Sequence, residues 1–334
     1  MTERERFVAA LDYAAPDRLP VVYHPCTAGL YRHGQPLADL LRAHPSDNPI
    51  GFDTLPAPPA EAIDADGRYH EFITDGWGVE NEYLIYGIAG HPSRQPIGDW
   101  SRSDDYALPQ PPSGRAEPIG GRDRWFIAGG GVSIFERLHA LSPFEELLMA
   151  VATREPGLLA FLERLEAYWS ACIAHDLARG VDAVWFGDDW GTQTGPIIAP
   201  AAFDALFAPI YERLFTQIKA AGARVFFHSC GALGTLWDRL LDLGIDLIWP
   251  QIGWFEADPA RIAACRERDV AFYVHPDRQR LVPLGTPEQI RAEMRRYGDL
   301  GRSLGGGVIF YVEIENDAPW DNCVALVEGI AASR

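Results

Sequence analysis

The chain has 334 residues, 47% of them hydrophobic, and a formal net charge of −18. Such an acidic balance excludes partners held by clustered Lys and Arg, nucleic acid and anionic membrane among them, and disfavours a polyanionic substrate unless arginines reverse the field locally. No run of about 18 apolar residues is present to span a bilayer.

The first residues, Met1-Thr-Glu-Arg-Glu-Arg-Phe7, are charged and read as an amphipathic helix without the apolar core of a secretory signal. The five cysteines, Cys26, Cys172, Cys230, Cys265 and Cys323, are scattered and odd in number, which gives no disulfide framework and suits a reducing compartment. A soluble, cytoplasmic protein is expected.

Eight short apolar runs read as strands: Val21 to Pro25, Ile50 to Leu55, Trp125 to Gly129, Val181 to Asp188, Arg224 to Cys230, Asp246 to Gln251, Val270 to His275 and Gly307 to Glu313. Helical patterns lie between most of them, the clearest over Phe144 to Glu155, Leu158 to Arg179, Ala201 to Ala220, Leu233 to Leu243, Pro259 to Arg268, Thr286 to Leu304 and Asn322 to Ser333. Ser142-Pro143, Asp258-Pro259 and Thr286-Pro287 each set a capping oxygen before a first-turn proline, and Gly180, Gly222 and Gly244 stand where left-handed helix ends belong.

Alternation of buried strands with helices is the pattern of a parallel sheet covered on both faces. The expected fold is α/β, a (β/α)₈ TIM barrel in one domain spanning residues 1–334. An open doubly wound sheet is the competitor, but no Gly-x-Gly-x-x-Gly follows the first strand. Residues 56–122 break the rhythm, being rich in Gly, Pro, Asp and Trp. They are read as an insertion after the second strand, with a β-hairpin turned at Asp75-Gly76. It would cover the barrel mouth or form an oligomer contact, as in a homodimer.

In such a barrel the chemistry sits where strands end. The most informative of those ends is Phe227-His228-Ser-Cys230-Gly231, because residues i and i+2 of a strand share a face and imidazole with thiolate suits Zn²⁺. The bland reading is a core histidine beside a buried free thiol. Other strand ends supply His24 and Cys26, Asp53, Glu136-Arg137, Asp188-Asp189-Trp190, Gln251, His275 with Asp277, and Glu313 with Glu315.

Glu313 shares a face with Tyr311 and is the favoured glutamate for a third metal ligand; Glu315 is the alternative. Asp188, Asp189 and His24 are the candidate catalytic groups, and Gln251, His275, Asp277, Trp190 and Tyr311 the candidate substrate contacts. Against each stands a structural role: an aspartate that caps a loop, a histidine without metal, a solvated acid.

Taken together, Asp17-Arg18-Leu-Pro20, Gly187-Asp-Asp-Trp-Gly-Thr-Gln-Thr-Gly-Pro196, Phe227-His-Ser-Cys-Gly231, Leu284-Gly-Thr-Pro-Glu288 and Gly305-Gly-Gly307 resemble the uroporphyrinogen decarboxylase superfamily. Within it, the motifs are similar to those of the zinc-dependent, cobalamin-linked methyltransferases. The resemblance implies a (β/α)₈ barrel, Zn²⁺, and a methyl donor carried as a corrinoid on a partner protein.

Two departures stand out. Where the decarboxylases carry an arginine-rich porphyrin clamp after the first strand, this chain has His24-Pro-Cys-Thr-Ala-Gly-Leu-Tyr-Arg32. Where the zinc methyltransferases take a cysteine after the last strand, it has Tyr311-Val-Glu313-Ile-Glu315.

The expected function is metal-dependent transfer of a methyl group between a corrinoid or methylated small molecule and a thiol or similar acceptor. His228, Cys230 and Glu313 would hold the metal, and the Trp77 hairpin would shape a docking surface. The alternative is a metal-free lyase acting on a smaller carboxylic acid, with Asp188 or Asp189 as acid and Arg32 or Arg137 holding the carboxylate.

Overall fold

The computed structural model describes residues 1–50 and 54–334. Its strands in chain order are β1 (Val21–Pro25), β2 (Glu71–Thr74), β3 (Glu80–Tyr83), β4 (His91–Arg94), β5 (Ala128–Val132), β6 (Ala183–Gly187), β7 (Arg224–Ser229), β8 (Leu247–Pro250), β9 (Ala271–Val274) and β10 (Val308–Ile314). Seven of them form one curled, all-parallel sheet in the order β1-β10-β9-β8-β7-β6-β5.

The expected closed eight-stranded barrel is corrected on this point: among the described residues β1 and β5 are edges, and no strand pairs with both. The expected second strand, Ile50 to Leu55, has its centre at residues 51–53, which lie outside the described residues, as does Asp53. The third expected strand is displaced, from Trp125–Gly129 to Ala128–Val132. There the Gly129-Gly-Gly131 run pairs with β6 through a register shift, with Gly130 at φ 92° and Gly131 at φ 123°.

The helices lie close to their expected spans, with physical reasons for each difference. Ala201 to Ala220 is interrupted and becomes Pro200–Leu206 and Ala208–Ala220, because Pro209 has no N–H to continue the first helix and is tolerated at the start of a new one. Leu233 to Leu243 begins with a 3₁₀ turn before the helix Trp237–Asp242. Thr286 builds a full capping box with Gln289, and Asp258 caps Pro259–Glu267. Ser142 does not cap: the helix Phe144–Thr153 has Pro143 at its N-cap position, and the Ser142 hydroxyl is buried without a partner. Gly180, Gly222 and Gly244 all take positive φ, as expected at helix ends.

Two apolar cores result. The outer one packs helices against the sheet. The inner one lines the lumen and is floored by α1 (Glu3–Leu11), whose Phe7 ring stacks on Phe126 at 4.8 Å and Phe226 at 6.2 Å. Burying one such phenyl ring contributes on the order of 2 kcal/mol. The Thr2/Glu5 capping box fixes where α1 begins.

The insertion contains the expected hairpin and one more strand, in an antiparallel β2-β3-β4 sheet. Asp75 makes the turn, its carboxylate accepting from the amides of Trp77 and Val79. Trp77 is half-buried. Its ring packs edge-on against Tyr168 at 4.9 Å, the Arg137 guanidinium lies 4.3 Å from it, and Arg137 pairs with Asp75 at 3.6 Å. The hairpin turn is thus anchored on the helix Pro156–Arg179 and on the helix Phe135–Leu141. No helix among the described residues is long and apolar enough to cross a membrane.

Candidate metal centre

Strands β6 and β7 run side by side with Gly187 opposite His228, so the residues just beyond them meet. His228 Nε2 lies 3.3 Å from Cys230 Sγ and 3.5 Å from an Asp189 carboxylate oxygen. The potential ligand atoms of Asp189, His228 and Cys230 all fall within 4.8 Å of one another. Bonds of roughly 2.0–2.3 Å to a tetrahedral zinc place neighbouring donors about 3.4–3.6 Å apart, so two of the distances already approximate edges of such a tetrahedron.

The surroundings fix this geometry. His228 Nδ1 donates to the Trp249 carbonyl at 2.9 Å, which selects the tautomer whose free lone pair is on Nε2 and turns it towards the other two donors. Burial holds the imidazole below its ordinary pKa, against the opposing pull of Asp189, so it is neutral as a ligand must be. The Cys230 amide donates to Asp189 at 2.7 Å.

The loops that carry the two residues are locked by Ala232 N–H donating to Thr192 O at 2.7 Å. Gly231, at φ 79°, makes that crossing possible: a Cβ there would stand 2.1 Å from the Gly191 carbonyl oxygen. Burial, reinforced by the Asp189 charge, pushes the Cys230 thiol up to about 12. A bound cation reverses that preference and draws out the thiolate. One imidazole, one thiol and one carboxylate form a donor set suited to Zn²⁺.

Glu313, expected as the third ligand, is not in this cluster. Its carboxylate pairs with Arg278, which also reaches Glu315 at 3.4 Å, and the position expected for it is taken by Asp189. Sequence reasoning missed Arg278 because it lies in the loop after β9, at no spacing that marks a site.

Asp188 faces the other way from Asp189. Wholly buried, it accepts from Ile134 N–H and Glu136 N–H at 2.8 Å and from the Tyr211 hydroxyl at 2.6 Å. Burial pushes it up to about 7 despite those three donors; the residue ties the end of β6 to the start of the helix Phe135–Leu141. That tie sets Glu136 beside the trio, where desolvation and then the charges of Asp189 and Asp188 raise its carboxyl to about 7. Glu136 was among the strand-end residues in the sequence but was not selected there; nothing in its spacing distinguished it.

The remaining candidates divide. His24 and Tyr311 face the lumen, their rings 6.1 Å apart. Trp190 is fully buried, stacked 4.5 Å from Phe135, and belongs to the core. His275 is buried with its ring nitrogens at the Pro276 and Pro250 carbonyls, and desolvation lowers it to about 4. Asp277 caps its own turn through Gln279 N–H and Arg280 N–H. Gln251 stands at the N-terminus of Ile252–Glu256. Of the two arginines considered for a carboxylate, Arg137 is taken by Asp75 and Arg32 is exposed on the helix Thr27–Ala43.

Fold and site together define a parallel α/β protein whose polar groups gather at the carboxyl ends of its strands. The chain belongs to the uroporphyrinogen decarboxylase (URO-D) family, whose model matches residues 128–331. No curated protein matches it in sequence. Among solved structures it is similar to a methyltransferase from Methanosarcina mazei, with 15% identity, 99% of each chain covered and a TM-score of 0.63. A partial likeness extends to dihydropteroate synthase from Xanthomonas albilineans, with 16% identity, 55% of this chain and 60% of that chain covered and a TM-score of 0.33.

Proposed function

We propose that the protein is a metal-dependent methyltransferase, with Asp189, His228 and Cys230 holding a zinc ion and a thiol or similar acceptor entering beside them. The observation that carries this reading is the convergence of three different donor types within 4.8 Å at the ends of adjacent strands. The fold likeness to a methyltransferase over the full chain is in keeping with it.

When bound, the metal would supply a Lewis acid that holds an acceptor thiol as its thiolate near neutral pH. The chain's own residues do the rest. Trp249 O orients His228, Asp188 fixes the loop that sets Glu136 in place, and Glu136, near its own pKa at neutral pH, can take up the acceptor's proton. The methyl donor is a corrinoid on a partner protein or a methylated small molecule.

The metal-free lyase reading asks for an arginine open to a substrate carboxylate. Arg137 is held by Asp75, Arg278 is shared between Glu313 and Glu315, and Arg32, exposed on the helix Thr27–Ala43, is not among the residues lining the cavity inside the sheet, so this reading is less well supported. Elemental analysis of protein purified without chelator, with a methyl-transfer assay to a thiol before and after chelation, tests the proposal. About one equivalent of metal and loss of transfer on chelation are expected. Full turnover by metal-free protein overturns it.

A further inference from the structure

The polar layer at the strand ends sits on an aromatic one. Within the sheet's concave side lies a cavity of about 530 Å³ walled by Trp185, Phe226, Trp249, Tyr273 and Tyr311, with His24 at its edge. The rings form a continuous surface: Trp185 to Phe226 at 5.3 Å, Trp185 to Tyr273 at 5.6 Å, Tyr273 stacked on Tyr311 at 4.8 Å, and Tyr311 to Trp249 at 4.3 Å. Trp249 in turn lies 4.1 Å from the His228 ring. Trp249 is therefore shared between the cavity wall and the surroundings of the candidate metal centre.

Its electrostatics are one-sided. None of the described lining residues is a Lys, Arg, Asp or Glu, so an anion entering it would find no counter-ion on these walls. The nearby Arg278 is engaged by Glu313 and Glu315. His24 is held below the ordinary imidazole value by desolvation, with Arg278 adding to the effect, and so brings no positive charge at neutral pH. What the walls offer is a group of aromatic rings, and the Tyr311 hydroxyl reaches from them to within 3.5 Å of Glu313 Oε1 at the strand ends. Aromatic faces in a desolvated pocket recognise a cation, and methylated ammonium groups are the ligands such enclosures suit best.

Resting on the methyltransferase reading above, we infer that this lumen binds the methyl donor, and that the donor is a small methylated onium cation, a quaternary ammonium or tertiary sulfonium group. Transfer from such a donor balances without a further reactant. The acceptor sulfur, its proton already given up, forms a C–S bond as the methyl's bond to nitrogen or sulfur breaks, and the electron pair leaves on a neutral amine or thioether.

The test is calorimetric titration of the metal-loaded protein with choline and with 3,3-dimethylbutan-1-ol, its uncharged counterpart of nearly the same shape. Choline is expected to bind at least tenfold more tightly. Trp249→Leu and Tyr311→Leu should each weaken choline at least tenfold, and Trp249→Phe no more than about threefold. Circular dichroism serves as the folding control, and the comparison of the two ligands on the unaltered protein stands even if a leucine variant fails to fold.

Cys230→Ser, which lacks a proposed metal ligand, should still bind choline. Failure of the metal reading is thereby distinguished from failure of this one. Equal affinity for the two ligands, a preference for anisole over choline, or no choline binding at millimolar concentration overturns the inference.

Discussion

Asp189 accepts a hydrogen bond from the Cys230 amide at 2.7 Å, so the carboxylate that faces His228 also fixes the backbone from which the thiol projects. One residue thereby acts as potential ligand and as brace. Asp189→Asn keeps an oxygen for the amide but loses the charge, and is expected to lower zinc affinity at least tenfold with little change in melting temperature. His228→Ala and Cys230→Ser should each remove about one equivalent of metal. Glu313→Gln, whose parent carboxylate is turned to Arg278, should retain it. Elemental analysis after dialysis reads all four, and loss of metal from Glu313→Gln alone would show that the carboxylates had been assigned the wrong way round.

The Cys230 thiol, pushed up to about 12 by burial and by Asp189, is protonated at neutral pH until a cation arrives. Binding as thiolate must then release about one proton, and affinity should rise about tenfold per pH unit across the neutral range. Calorimetry in buffers of different ionisation enthalpy measures the proton directly. A pH-independent affinity between pH 6 and 8 would mean that the thiol is not a ligand.

Asp188 makes three hydrogen bonds in full burial, and replacing it with alanine leaves three donors unpaired. Asp188→Ala should cost about 2–5 kcal/mol, and Asp188→Asn, which keeps the acceptor oxygen, considerably less. Urea unfolding compares them. Because burial raises its carboxyl from the ordinary aspartate range to about 7, its contribution to stability is full below about pH 4 and declines as pH rises towards 7. The stability difference between the parent protein and Asp188→Asn should therefore shrink or reverse over that window.

Gly231 holds a positive φ at the point where the loops after β6 and β7 cross, and a Cβ there would collide with backbone. Gly231→Ala should destabilise by about 2–4 kcal/mol through combined strain and crowding and loosen the metal centre in proportion. A stable variant with unchanged metal affinity would show that the crossing is not what aligns Asp189 with Cys230.

Much of this was legible in the residues. Runs such as Val-Phe-Phe-His228 declare a buried strand, and Thr286-Pro-Glu-Gln289 declares a helix start, because backbone propensity and capping chemistry are local. His228 and Cys230 could be placed on one face from strand periodicity alone. The boundary of β5 was misplaced because its glycines carry no side-chain pattern to register.

The amino-acid order by itself determined the alternation of strands and helices, the parallel sheet that follows from it, and the pairing of an imidazole with a thiol two residues on. Only the tertiary structure decided which carboxylate joins them. Asp189 and Glu313 each follow a buried apolar run, and no local rule separates them. The choice falls to neighbours distant in sequence: Arg278 captures Glu313, while the crossing at Gly191 and Gly231 brings Asp189 to Cys230. Charge pairing and close packing act between segments that only folding brings into contact.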